Sequence, residues 1–213
     1  MNQKKTLITL GTKNKDKLRE LQKLLKGVSI RVRSLVDFPK HRDVMENGKT
    51  FEANARKKAR LYSRHTKGLV LADDSGLMVS SLKGKPGVYS ARFACLSGRQ
   101  AGPGCTYHDN NRKLLRLLAR VPKAKRRAKF VCVMALYDNG RFVKTVRGEC
   151  RGTIAFEEKG GNGFGYDPVF IPAGFSKTFA ELSPRVKNKI SHRGKALKKA
   201  VRFFRISVVS ASR

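Results

Sequence analysis

Four short stretches of the chain carry residue types that could do chemistry together. The first, Thr12-Lys13-Asn14-Lys15-Asp16-Lys17, mixes hydroxyl, amide and ammonium groups just ahead of a helical pattern. Backbone N–H groups at a helix N-terminus attract anions and Lys17 falls one turn inside, so the stretch could hold phosphate oxygens. It lacks the GxxxxGK[ST] spacing of a P-loop, and a solvated helix cap would use the same residues. The second, Asp73-Asp74-Ser75-Gly76, follows an apolar run. A carboxylate there could bind Mg²⁺ or take a proton from water, or simply close an Asx-turn. Neighbouring side chains on an extended chain point to opposite faces, so the two aspartates are expected to have different roles.

The third stretch is Gly161-Asn162-Gly163-Phe164-Gly165-Tyr166-Asp167-Pro168. Its glycines allow close backbone approach to a ligand, its aromatics could stack on a nucleobase, and Asp167 could read a base N–H. A tight loop with its aromatics in the core would look the same. The fourth, Ser191-His192-Arg193-Gly194, offers hydrogen-bond donors to an oxygen-rich ligand, or a helix cap. The order of residues implies no Ser-His-Asp or Cys-His arrangement.

The elements that must position these stretches follow from hydrophobic spacing. Leu7–Leu10 reads as a strand, and Leu18, Leu21, Leu24 and Leu25 recur at helical intervals after the first stretch. Val28–Val32 reads as a second strand, Asp37–Gly48 as a loop, and Thr50 opens a helix running to about His65. Leu69–Ala72 is expected to be a short buried strand that ends at Asp73, with Leu77–Leu82 a further strand before the turn-rich Lys83–Gly87. Cys95–Thr106 reads as a loop and Asn110–Arg120 as a helix. Lys129–Tyr137 and Arg141–Gly148 flank Asp138-Asn139-Gly140, a strong hairpin signal. Arg193–Phe204 is expected to be the last helix. Strands and helices alternate first and a hairpin follows, which argues for a mixed-sheet α/β protein.

Composition narrows the field. The 213 residues suit one domain or one domain in two lobes, and 40% of them are apolar, enough for a sizeable core. No run approaches the ~20 apolar residues of a membrane span, and the N-terminus does not read as a signal peptide. Cys95, Cys105, Cys132 and Cys150 include no CxxC pair, so zinc is not expected, and Cys132 reads as a core thiol. Cytoplasm is the default compartment. The net charge of +33 is the outlier. Asn110–Tyr137 holds nine Lys/Arg and no acid, and Leu182–Arg213 holds ten and no acid. Nonspecific adhesion to polyanions such as nucleic acid is expected from such a surface. The run Lys123-Ala124-Lys125-Arg126-Arg127 reads as part of it.

Taken together the motifs resemble the inosine triphosphate pyrophosphatase family. The resemblance runs from about Thr6 to Ala200 and rests on six stretches in the family's order. They are Thr12-Lys13-Asn14-x-x-Lys17, Leu71-Ala72-Asp73-Asp74-Ser75-Gly76-Leu77, Pro86-Gly87-Val88-Tyr89-Ser90-Ala91-Arg92, Gly163-Phe164-Gly165-Tyr166-Asp167-Pro168, Lys177-Thr178-Phe179-Ala180-Glu181-Leu182 and Lys187-x-x-Ile190-Ser191-His192-Arg193. The resemblance implies an elongated α/β fold, with a long mixed sheet flanked by helices and two lobes around a central cleft. Residues 1–213 would form one nucleotide pyrophosphatase domain, with 182–213 a basic C-terminal helical segment.

The resemblance further implies a homodimer and Mg²⁺-dependent hydrolysis of ITP, dITP or XTP to monophosphate and pyrophosphate. Thr12, Asn14 and Lys17 would hold the triphosphate, with Lys58 nearby. Asp74 would be general base and metal ligand, Glu46 the second metal carboxylate, and Ser75 a substrate contact. Phe164, Gly165, Tyr166, Asp167, Lys187, His192 and Arg193 would form the base pocket and its rim. Departures include Lys13, where many relatives have glycine, and Ala53, where a second acid is common. The alternative is a charge-modified scaffold or nonspecific nucleic-acid-binding protein with reduced or no activity.

Overall fold

The computed structural model describes residues 6–25, 30–38, 43–96 and 106–210. Six strands form one sheet in the order β2-β1-β3-β4-β5-β6. Strand β1 (Thr6–Leu10) runs parallel to β2 (Ile30–Ser34) and to β3 (Leu69–Val79), with Thr9 opposite Val70. Strands β4 (Arg127–Asp138) and β5 (Arg141–Ile154) are the expected hairpin, and β6 (Phe170–Pro172) closes the edge antiparallel to β5. The mixed α/β sheet is therefore the architecture that the alternating pattern implied. Helices α1 (Lys15–Leu25) and α2 (Phe51–Thr66) follow β1 and β2, as parallel pairing requires. Helix α3 (Tyr107–Leu117) precedes the hairpin, and α4 (Pro184–Ile190) and α5 (His192–Ser210) end the chain.

The chain divides into two compact units, each with its own core. Unit 1 takes the described residues of Met1–Asp74, Cys132–Gly148 and Arg193–Arg213. There Ile8 and Leu10 of β1, Leu21 and Leu25 of α1, Met134 of β4 and Leu197 and Phe204 of α5 pack together. Cys132 is buried in this core as expected, and burial pushes its thiol well above the ordinary range, so it is inert. Unit 2 takes Ser75–Val131 and Glu149–His192, around Leu77, Val79, Leu114, Phe130, Phe170 and Phe179.

Several boundaries differ from the sequence reading, each for a physical reason. The strand expected to stop at Ala72 continues through Asp73-Asp74-Ser75-Gly76 to Val79. It lies between β1 and β4 in the sheet, and its carboxylates are compensated from other elements. It ends at Val79, after which Ser80–Leu82 form a 3-10 turn and Lys83 and Gly84 take positive φ (52° and 83°). Helix α3 starts three residues earlier than expected, because Thr106 and Asp109 form a reciprocal capping box. Helix α4 and strand β6 had no periodic signal long enough to be seen. Most of the expected Cys95–Thr106 loop, together with Val28 and Ser29 of the expected second strand, lies outside the described residues.

The basic run before β4 also holds a correction. Arg126, read as a surface cation, is 1% exposed. Its guanidinium donates to the carbonyls of Leu118, Val121, Ile154 and Ala155 at 2.7–3.3 Å and lies 4.3 Å from the Phe156 ring. One side chain thus ties the end of α3 to the end of β5. Arg126→Met would take the charged donor away from all four carbonyls, and the expected loss of unfolding free energy is on the order of 3 kcal/mol. A urea denaturation midpoint equal to the parent's would show that the clamp carries no weight.

Candidate functional site

In unit 1 the site is assembled from a turn, a helix and one strand. Gly11 follows β1 and passes so close to β3 that a Cβ there would sit 2.8 Å from the Ala72 Cβ. That approach brings Thr12–Asn14 to the start of α1. Asn14 caps the helix, its Oδ1 accepting from the N–H groups of Asp16 and Lys17 at 3.0 Å. The Asn14 N–H in turn donates to Thr12 Oγ1 at 3.2 Å. Lys17 then reaches over to Asp73, Nζ to Oδ2 at 3.1 Å.

The two aspartates separate as strand alternation demands. Asp73 faces Lys17 and Arg193, whose Nε lies 3.8 Å from Asp73 Oδ2. Burial alone would raise the Asp73 pKa, but the Lys17 and Arg193 charges overcome it and hold the carboxyl well below the usual range. Arg193 is also bonded through Nη1 to Glu20 of α1, both groups being buried. Asp74 turns instead to Asn54 of α2, accepting from its Nδ2 at 2.9 Å. Asn54 Oδ1 accepts from Gly48 N–H at 2.7 Å, so one buried amide fixes both Asp74 and the loop that carries Glu46. Glu46 pairs with Lys58, one helical turn beyond Asn54. Burial pushes the Asp74 carboxyl up to about 6; Lys58 pulls it down, and the Glu46 charge pushes it up.

Glu46 and Asp74 therefore offer hard oxygen donors beside the ammonium groups of Lys58 and Lys17. Among the described residues no cluster of three or more Asp, Glu, His or Cys is arranged for a metal ion. Two carboxylates are nevertheless the donor set Mg²⁺ uses when substrate phosphates and water complete its shell, so the residues fit that ion. Lys13, the departure in the turn, is half-exposed and paired with Asp43 at 2.6 Å.

In unit 2 the Gly-rich loop is built around Asp167. Its Oδ2 accepts from Phe164 N–H at 2.8 Å and from Lys187 Nζ at 2.7 Å. Gly163 is required here: its φ is +81°, and a Cβ would lie 2.1 Å from the same carboxylate oxygen. The Lys187 ammonium lies 5.0 Å from the centroid of the half-buried Phe164 ring, and Tyr107 of α3 packs beside that ring at 5.9 Å. Tyr166 is buried in the core, its hydroxyl donating to Ser90 O at 2.9 Å. His192 stacks on Phe130, centroids 4.6 Å apart and nearly parallel. Asn111 of α3 donates to Gly165 O and to Glu158, which fixes the loop from behind. Ser75 is half-buried in β3, directly after Asp74.

Thr12, Asn14, Lys17, Glu46, Lys58, Asp74 and Arg193 thus fall in unit 1, and Ser75, Phe164 to Asp167, Lys187 and His192 in unit 2. The sequence reading missed Asn54, Glu20 and Asn111. For Asn54 a signal existed: it lies four residues before Lys58 and four after the capping Thr50, on one face of α2.

Comparison with solved structures and curated sequences defines the class. A HAM1 protein from Coxiella burnetii matches with a TM-score of 0.81 at 38% identity, covering 93% of this chain and 98% of that one. The Staphylococcus aureus Ham1 protein matches at 0.81 and 35%, covering 95% and 100%. The model of the Ham1 family matches residues 8–203, and the chain belongs to that family. Among its relatives, a dITP/XTP pyrophosphatase from Desulforamulus reducens is 50% identical over 195 residues, 91% of this chain and 93% of the relative. One from Rhodopirellula baltica is 46% identical over 192 residues, 90% and 89%.

Proposed function

We propose that the protein hydrolyses dITP, XTP and ITP to the nucleoside monophosphate and pyrophosphate, removing non-standard purines from the nucleotide pool. The observation that carries this is the buried Asp74, held by Asn54 to the Glu46 loop in the unit that also carries the Thr12–Lys17 turn. Half-identical relatives named dITP/XTP pyrophosphatase support it. The chain works as one catalytic domain in the cytoplasm, where those nucleotides are used. The homodimer implied by the resemblance belongs to the same reading, and a charge of +33 on each copy opposes it.

A triphosphate is an anion of about four charges, and phosphoryl-group hydrolysis depends on positioning and charge stabilisation. The Thr12 hydroxyl, the Asn14 amide NH2 and the Lys17 ammonium take phosphate oxygens at the positive end of α1. Lys58 neutralises charge between Glu46 and the triphosphate. Asp74, held by Asn54, orients the attacking water and accepts its proton, and a carboxylate titrating near 6 is suited to that role. Mg²⁺, held by Glu46 and Asp74, would supply charge neutralisation at the phosphates.

In unit 2 Phe164 offers a face for the purine, fixed by the Asp167–Lys187 pair. A donor from His192 or the loop backbone meets the oxygen at C6 of hypoxanthine or xanthine. Against adenine it would face the 6-amino group and remain unpaired, which costs heavily in a buried pocket. Arg193, committed to Glu20 and Asp73, acts by positioning Asp73 and α5. Over a panel of dITP, XTP, dGTP and dATP, kcat/KM for dITP is expected to exceed that for dATP by ~10²-fold or more. Equal turnover of the four would remove the base-reading role.

Asn54→Ala is expected to lower kcat on the order of 10-fold, because a charge-assisted bond to Asp74 is lost, while KM changes little. A rise in KM with kcat unchanged would instead make Asn54 a binding residue.

A further inference from the structure

Strand alternation gives unit 2 a second face with no part in the chemistry above. Leu77 and Val79, Ala128 and Phe130, Cys150 and Ile154, and Phe170 turn into the unit 2 core. Side chains between them must point the other way. Those residues, Met78, Arg127, Lys129, Arg151, Thr153 and Ile171, line a concavity of about 690 Å³ across four consecutive strands. Lys83 enters it from the turn after β3, and the Ala173–Phe175 turn after β6 closes its far side.

The chemistry of this concavity is specific. Met78, Ile171 and Phe175 give it apolar lining. Lys83, Arg127, Lys129 and Arg151 line it as well, and no carboxylate does. Lys129 is paired with Glu149 at 3.3 Å, whereas Lys83, Arg127 and Arg151 have no ion pair among the described residues and are exposed. Phe175 is 40% exposed, on a turn fixed by its N–H to Pro172 O at 3.1 Å. A cationic groove with apolar lining and an exposed aromatic is the combination that tracks a phosphate backbone and stacks an unpaired base. A duplex hides its base faces, and a second copy of this chain would bring like charge to like.

We propose that this face of unit 2, formed by β3 to β6, is a binding site for single-stranded nucleic acid, separate from the nucleotide-hydrolysing residues. Lys83, Arg127 and Arg151 contact phosphates, and Phe175 stacks on a base. This is a located site, distinct from the diffuse adhesion that a net charge of +33 produces everywhere.

The test is fluorescence anisotropy with a labelled oligo-dT of about ten nucleotides, the length class a single stacking groove accommodates. The combined variant Lys83→Glu/Arg127→Glu/Arg151→Glu is compared with a charge-matched control, Arg60→Glu/Arg112→Glu/Lys198→Glu, all three exposed elsewhere. Circular dichroism and melting midpoints establish that both fold, and dITP turnover is followed in parallel. The groove variant is expected to bind at least tenfold more weakly than the control with turnover unchanged, and Phe175→Ala to lose on the order of tenfold by itself. Three backbone contacts also imply that raising salt from about 50 to about 200 mM weakens the parent roughly 20-fold more than the groove variant. Equal losses in groove variant and control, or a duplex of the same length bound as tightly as the single strand, would overturn the proposal.

Discussion

Asp74→Asn is expected to remove turnover while leaving the fold and nucleotide binding in place. The amide is nearly isosteric and its oxygen can still accept from Asn54 Nδ2 while Asn54 Oδ1 keeps its bond to Gly48 N–H, so the Gly48 loop and α2 keep their packing. It can neither accept a proton from water nor contribute the negative charge that a divalent cation requires. Loss of a general base alone typically costs ~10²–10⁴-fold in rate, and weakened metal binding adds to it. The variant should still bind dITP through Thr12, Asn14, Lys17 and Lys58. Single-turnover rates and equilibrium binding separate the two effects. Turnover within threefold of the parent's would take the base role away from Asp74.

Arg193→Met should act on folding before it acts on chemistry. Arg193 is 3% exposed and bonded to Glu20 and Asp73, themselves 8% and 3% exposed. Removing the guanidinium takes a cationic partner from two buried carboxylates, while Lys17 stays beside Asp73. Breaking a buried charge pair from one side costs about 3–5 kcal/mol, a large share of a typical domain's stability. The pH dependence has a defined sign. In the parent, Asp73 titrates below its unfolded value, so its contribution is present above an unfolded pKa of about 4 and is lost as pH falls through the folded value. In the variant that contribution shrinks, so the stability gap should hold from neutrality down to about pH 4 and narrow as pH falls below it. A gap that stays constant as pH falls below about 4, or a variant as stable as the parent with only KM raised, would assign Arg193 to the ligand instead.

Much of this was legible from local pattern. Leu7–Leu10 and the leucines at 18, 21, 24 and 25 fixed β1 and α1 because both periodicities are short-range and unbroken. Asp138-Asn139-Gly140 specified its hairpin through residues able to adopt positive φ, and Asn139 and Gly140 do so at 48° and 82°. The separate roles of Asp73 and Asp74 followed from alternation alone. What escaped depends on partners far along the chain. Asp73-Asp74-Ser75-Gly76 has turn composition, and Lys17, Lys58, Asn54 and Arg193 compensate its carboxylates inside the sheet. Arg193 reaches Glu20 across 173 residues, a pairing no window on the sequence contains. Arg126 looks like the three other basic residues of its run until the carbonyls at the ends of α3 and β5 converge on it.

The ordered acids and the basic surface point in two directions, towards a nucleotide-cleaving centre and towards phosphate-rich polymers. The site residues survive in a chain with three times as many basic as acidic side chains, 48 against 15. Charge of that sign favours the triphosphate as well as the polymer, so electrostatics alone cannot distinguish enzyme from scaffold. The chemistry of the products can.

The most direct measurement is ³¹P NMR of the products formed from dITP in the presence of Mg²⁺. The expected spectrum contains dIMP and pyrophosphate in equal amounts, with no orthophosphate, and the same experiment on Asp74→Asn shows unreacted dITP. dIDP and orthophosphate would place the cut at the other phosphoanhydride bond, and unchanged dITP with the parent protein would leave a folded but inactive scaffold; either result contradicts the proposed function.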